Sequence, residues 1–262
     1  MKNYIPVLVV GKLSWKSSGI FNPNAFPSEL RSTAMNCGDQ LALIENSLVN
    51  TTTLIERQKN EFLEILKNDP HFKGFTPDPK KPAIAFYHNL AFLTHFISFF
   101  VYFKAFLDQY ARLVSRLISS RSSIFGFNKQ NIDGQKISGG RLINWLRNST
   151  PSDFENSSNL ADILIRHVSE WVDEIIQIRD FLVHNPNFLA EFNISIPLNS
   201  SADKLSSGDV NPPKIPGTDF EILLYMEEAL KHLSSFLHET LPLLPNVDFS
   251  LLPDMKFDNV GC

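Results

Sequence analysis

Between residues 160 and 182, Leu160, Leu164, Val168, Trp171, Ile175, Ile178 and Leu182 recur at intervals of 4, 4, 3, 4, 3 and 4. Spacing of this kind returns to one face only at the helical period, so the stretch predicts a long amphipathic helix. It runs through "NLADILIRHVSEWVDEIIQIRDFLVHN", and Pro186 marks its end. A helix with one apolar stripe has to bury that stripe, and the rest of the chain offers partners. Leu41, Ile44, Leu48, Ile55, Phe62 and Ile65 step by threes, fours and sevens, which predicts a helix from about Asp39 to Asn68. A third helix is expected from about Pro82 to Ser119, and "RLINWLRN" gives a short one. In the last, over residues 219–240, "TDFE" has the form of a capping box built on Thr218 and Glu221, and Pro242 follows.

Strand-like patterning is confined to short pieces near residues 4–10 and 192–198, and "SSRSSIFGFNKQNIDGQKISGG" is expected as a loop. The expected fold is therefore mainly α: an up-and-down bundle of about four long helices and a short one, with a small β element. One domain over residues 1–262 is expected, with an irregular segment at 1–36 and a strand-and-loop insertion at 192–217. Composition agrees: the chain is 43% hydrophobic, holds 22 phenylalanines and has only 11 glycines for turns. The apolar run "NLAFLTHFISFFVYF" is shorter than a membrane span and contains Asn89, Thr94 and His95, so it is expected as a core helix. Two cysteines, Cys37 and Cys262, give no disulfide framework, and a cytoplasmic, reducing setting is expected.

Several chemistries lack their residues. The chain contains no phosphate-binding glycine loop, no Gly-x-Gly-x-x-Gly, no His-Glu-x-x-His and no Gly-x-Ser-x-Gly. Helical Glu-x-x-His pairs are missing too, and no metal or cofactor is expected. His88 and His95 read as core or interface histidines. The net charge of −4 is unevenly placed. Residues 104–147 carry eight basic side chains against two acidic ones, a net +6 that leaves −10 elsewhere. Arg112, Arg116, Arg141 and Arg147 are therefore candidates for binding RNA phosphates, with a solvated helix face and loop as the plain alternative.

The end of the most regular helix is unusual. "RDFLVHNP" sets Arg179, Asp180 and His184 in its last turns. Asp180 and His184, four apart, can share a face. Arg179 can lay its stem along the apolar stripe and reach out with its head. A fixed cation beside a tunable imidazole suits phosphate chemistry, because arginine grips phosphate oxygens and histidine moves protons near neutral pH. A plain helix terminus, with basic residues complementing the dipole, is the alternative.

An arginine, a polar residue and a histidine after four intervening positions, on a long helix of a bundle, resemble the HEPN superfamily. On that resemblance Arg179, Asp180 and His184 take the motif positions. The resemblance implies a helical bundle, a homodimer with two motifs facing one cleft, and metal-independent endoribonuclease activity on RNA in toxin–antitoxin or phage-defence settings. Other members serve as non-catalytic modules that bind nucleotide, RNA or protein, which is the alternative function here. An antitoxin or other protein partner is also implied, but no membrane. Toxins of one subgroup carry a modified tyrosine two residues after the histidine. That position is Pro186 here, so this form of control is not implied.

Overall fold

The computed structural model describes residues 20–68, 85–86, 90–132, 134–151, 154–185, 192–194, 210–215 and 218–252. Its helices are α1 (Arg31–Asn68), α2 (Leu90–Ile118), α3 (Gly140–Asn148), α4 (Ser157–His167), α5 (Asp173–His184) and α6 (Ile222–Thr240). A single π turn, Val168–Val172, joins α4 to α5 into one rod. The strands are β1 (Ala85–Phe86), β2 (Gln130–Ile132), β3 (Gln135–Ile137), β4 (Phe192–Ile194) and β5 (Val210–Asn211). The fold is thus mainly α with a small antiparallel β element, as the periodicity predicts. The expected strand near residues 4–10 lies outside the described residues, as does His88.

The core forms around α2. Phe92, Phe96, Phe99, Phe100, Phe103, Phe106 and Tyr110 are all fully buried along it, because other helices cover it on several sides. α2 is the one described helix long and apolar enough to cross a membrane, with a mean hydropathy of 1.7, and in this fold it is the central core helix. All seven residues of the 160–182 stripe are buried, as their spacing requires.

Ring contacts set the directions of the helices. Phe103 meets Trp171 at 5.7 Å, Phe100 meets Tyr225 at 6.2 Å and Tyr110 meets Phe236 at 5.0 Å. Trp171 in turn stacks on His232, and His167 packs on Phe236. So α6 runs parallel to α2, and the α4–α5 rod runs against both. The start of α2, the end of α5 and the start of α6 therefore share one end of the bundle. β1 precedes α2, β4 follows α5 and β5 precedes α6, so the three strands meet there. They pair antiparallel in the order β1-β4-β5, with Ala85 opposite Asn193 and Ile194 opposite Val210.

Four local expectations differ from the structure. α2 begins at Leu90 and not near Pro82, because Ala85–Phe86 is drawn into the sheet by β4, more than 100 residues away. α1 begins at Arg31 and not near Asp39, and its buried face ends at Leu63, while Phe62 is half-buried and Ile65 exposed. α1 lies against α2 with Cys37 beside Tyr110. Stepping one residue for one in opposite directions brings Leu90 level with Arg57, so the last turns of α1 pass beyond the start of α2. Thr218 does not cap α6. Its hydroxyl accepts from the Phe220 amide at 3.2 Å, while Ile222 N donates to Pro213 O and a Lys214–Glu221 bridge keeps the chain extended as far as Glu221. Finally, the expected loop after α2 contains the β2–β3 hairpin, with Gln130 opposite Ile137. Its Asp-Gly sequence is a hairpin signal, and Gly134 supplies the positive φ, 88°, that such a turn needs.

Inside α1, Ser47, Thr51, Thr52 and Thr53 would weaken a helix if their hydroxyls competed for the backbone. Each donates instead to the carbonyl four residues back, at 2.7–2.9 Å.

Candidate functional site

Arg179 and Asp180 sit in the last two turns of α5, at the end of the bundle that carries the sheet. Ile175, Ile176 and Leu182 on the same helix are buried, so the Arg179 stem runs beside the core and its head is half-exposed. Nη1 donates to Asp180 Oδ1 at 2.6 Å, while Nε is buried and has no hydrogen-bond partner. His184 is the last residue of α5 and is exposed. The Phe181 carbonyl of that turn accepts from both the backbone and the side chain of Asn185, at 3.0 and 2.7 Å. Phe181 and Val183 expose 44% and 42% of their surface beside these groups.

Asp180 therefore bonds Arg179 where the spacing also allowed His184. A guanidinium offers a carboxylate several donors in a planar fork and a permanent positive charge. His184 has no hydrogen-bond partner among the described residues, and its imidazole is open to solvent or to a ligand.

The arginines proposed for RNA are not beside this group. Arg112 and Arg116 lie near the far end of α2. Arg179 is eight residues beyond Trp171, and the two arginines are nine and thirteen beyond Phe103 in the opposite direction. At 1.5 Å per residue the axial separation is about 25–32 Å. Arg141 Nη2 lies 3.5 Å from Ser123 Oγ, on the loop that follows α2. Arg147 reaches away to Asp162 on α4, at 3.2 Å. The structure thus gathers Arg112, Arg116 and Arg141 around one loop, ties Arg147 to the next helix, and leaves Arg179, Asp180 and His184 at the other end.

Two features went unread in the sequence. One is Phe125, an exposed ring in that loop; its only signal is a phenylalanine in a run of serine and glycine. The other is a buried polar group at the π turn. His167 Nδ1 accepts from Trp171 Nε1 at 2.8 Å, and its Nε2 lies 3.6 Å from Glu239. Burial holds the His167 imidazole below its ordinary pKa, against the pull of Glu239. Burial would raise the Glu239 carboxyl. Hydrogen bonds from Ser235 and Arg166, with the charges of His167 and Arg166, outweigh it and hold the group below its usual range. His95 on α2 is half-buried.

No family model matches the chain, and no curated protein or solved structure matches it either.

Proposed function

We propose that this chain is a metal-independent endoribonuclease of HEPN type, working as a cytoplasmic homodimer in a toxin or phage-defence setting. Arg179, Asp180 and His184 are its reacting groups. The observation that carries the reading is the state of Arg179. It is half-buried and aligned by Asp180 at 2.6 Å, and an exposed imidazole follows on the same helix end. A phosphate oxygen is the natural partner for such a fork.

In the proposed reaction the substrate's 2′-oxygen attacks the adjacent phosphorus and gives up its proton to His184. Arg179 stabilises the charge that builds on the phosphoryl oxygens. The bond from phosphorus to the 5′-oxygen breaks, and that oxygen takes a proton from water or from the second His184 of a two-fold dimer. The products are a cyclic phosphate and a 5′-hydroxyl. Asp180 holds the guanidinium in place and acts through it. Because the nucleophile belongs to RNA, DNA is not cut.

A second reading rests on a different observation. Asp180 already neutralises Arg179, and Phe181 and Val183 expose apolar surface beside it. Such a patch suits a non-catalytic module that binds an antitoxin or other protein.

Cleavage of mixed cellular RNA, run on gels with and without chelator, separates the two. The wild type is expected to cut in chelator, to leave cyclic phosphate ends and to spare DNA. Loss of a positioned charge donor costs roughly 10²-fold or more, so Arg179→Ala should fall by that much. His184→Ala should lose about 10²-fold if it moves a proton. Asp180→Asn should lose less. No cutting by folded, dimeric wild type favours the binding module, and cutting that survives loss of both Arg179 and His184 removes this site from the reaction.

A further inference from the structure

The loop after α2 displays a phenylalanine that contributes little to the core. Phe125 is 59% exposed, whereas Ile124 and Phe127 on either side are 3% and 1% exposed. The loop is pinned around it. Asp108, paired with Lys104, accepts from the Phe127 amide at 2.6 Å. A Cβ on Gly126 would lie 2.9 Å from Asp108 Oδ1, so only glycine lets the chain pass this close. Ile124 N donates to Ser122 Oγ at 3.2 Å, and Ser115 Oγ reaches Ile124 O at 3.5 Å. With both neighbours anchored, the ring between them is held facing outward.

Two cations lie against that ring. Arg112 and Arg116, one turn apart on α2, hold their guanidinium carbons 6.0 and 5.9 Å from its centroid. Each Nε is buried without a hydrogen-bond partner, and neither side chain pairs with a carboxylate among the described residues. Arg141 stands at the edge of the same loop, near Ser123. Cations that only needed neutralising would find carboxylates in a chain with 28 acidic residues. A rigid exposed ring flanked by unpaired guanidiniums has the two elements that hold single strands: a flat face for a base, and donors for the phosphates beside it.

We propose that Phe125, Arg112 and Arg116 form a docking site for single-stranded RNA, separate from Arg179 and about 25–32 Å from it along the bundle. The choice of polymer rests on the RNA reading above. An acidic peptide would satisfy the arginines but make no use of the open ring face, so the aromatic favours a nucleic acid. Base stacking of this kind tolerates any sequence, so the site would add affinity and extend the bound length of strand without selecting bases.

The test is fluorescence anisotropy of the full chain with a labelled uridine oligomer of about 20 nucleotides, longer than typical single-strand sites. Every 2′-oxygen is methylated, so the probe cannot be cut. The wild type should bind. Phe125→Ala, a change at an exposed position that should leave the melting temperature unchanged, should weaken binding about 5-fold or more, as for loss of one stacked base. The Arg112→Gln/Arg116→Gln double variant should lower the slope of log affinity against log salt by about 1.4, or 0.7 for each single-strand phosphate that is no longer neutralised. Wild-type affinity in Phe125→Ala, or no binding by the wild type, overturns the proposal. So does binding to phosphatidylserine vesicles, but not to the oligomer, that Phe125→Ala abolishes. Because the probe is uncleavable, none of these outcomes depends on whether Arg179 catalyses cleavage.

Discussion

Arginine is used in opposite ways at the two ends of this bundle. At the end with the sheet, Arg179 is held by Asp180, its neighbour in sequence, and is aligned at the cost of much of its net charge. At the other end, Arg112 and Arg116 rest on the Phe125 ring and keep their full charge. Alignment suits a group that must meet one atom in one geometry. Retained charge suits a surface that must attract a polyanion in many registers. The difference arises from backbone placement. Asp180 is carried on the same helix turn as Arg179, whereas Asp108, one turn before Arg112 on α2, is already engaged by Lys104 and the Phe127 amide.

Both ends depend on one aromatic core, and removing part of it should produce the largest effect. Phe103 is fully buried and packs on Trp171 and Phe99 at the level from which the two ends diverge. Phe103→Ala should cost about 3–5 kcal/mol of stability, as for other buried Phe truncations. Both proposed functions should fail together on warming. Denaturant unfolding measures the cost, and a loss below about 1 kcal/mol would show that the ends do not share this core.

A smaller change should reach one end alone. Gly139 has φ +68°, and a Cβ there would lie 2.3 Å from Cζ of the buried Phe127 ring. Gly139→Ala should therefore cost about 1–3 kcal/mol and displace the loop that carries Phe125. Oligomer binding should weaken while any cleavage at Arg179 persists. Gly134 also has positive φ, +88°, but nothing lies within 4 Å, so Gly134→Asn should cost less by the same measurement.

The smallest effect should be a titration. Burial lowers the His167 pKa, so the unfolded chain takes up this proton more readily than the folded one. The stability that neutral His167 contributes is complete above the unfolded value, about 6.5, and is lost as pH falls through the lower folded value. Glu239, whose pKa is also depressed, acts with the same sign in its own more acid range. The melting temperature should fall between about pH 7.5 and pH 5.5, and less steeply in His167→Gln. An equal slope in wild type and variant would place the acid sensitivity elsewhere.

Much of the fold was legible because helix burial is periodic and local. The 160–182 stripe needed only its spacing, and all of it is buried. Arg179, Asp180 and His184 were found together because three neighbours on one helix stay neighbours in any fold. Contacts between distant residues were not legible. β1 takes its partner from residue 193, and nothing in "AIAFY" announces that a strand will come from so far along the chain. Phe125 looked like the 21 other phenylalanines, and its exposure depends on how Asp108 pins the following amide.

The sequence by itself determined the helical class, the stripe that builds the core and the composition of the Arg179 helix end. Those follow from side-chain period and from residues that share one element. Only the tertiary structure decided that Asp180 bonds Arg179, that the two basic groups lie at opposite ends, and that Arg112 and Arg116 share one exposed ring. The first is a choice of partner within one helix turn; helix direction and loop anchoring set the other two, and both arise from contacts between residues far apart in the chain.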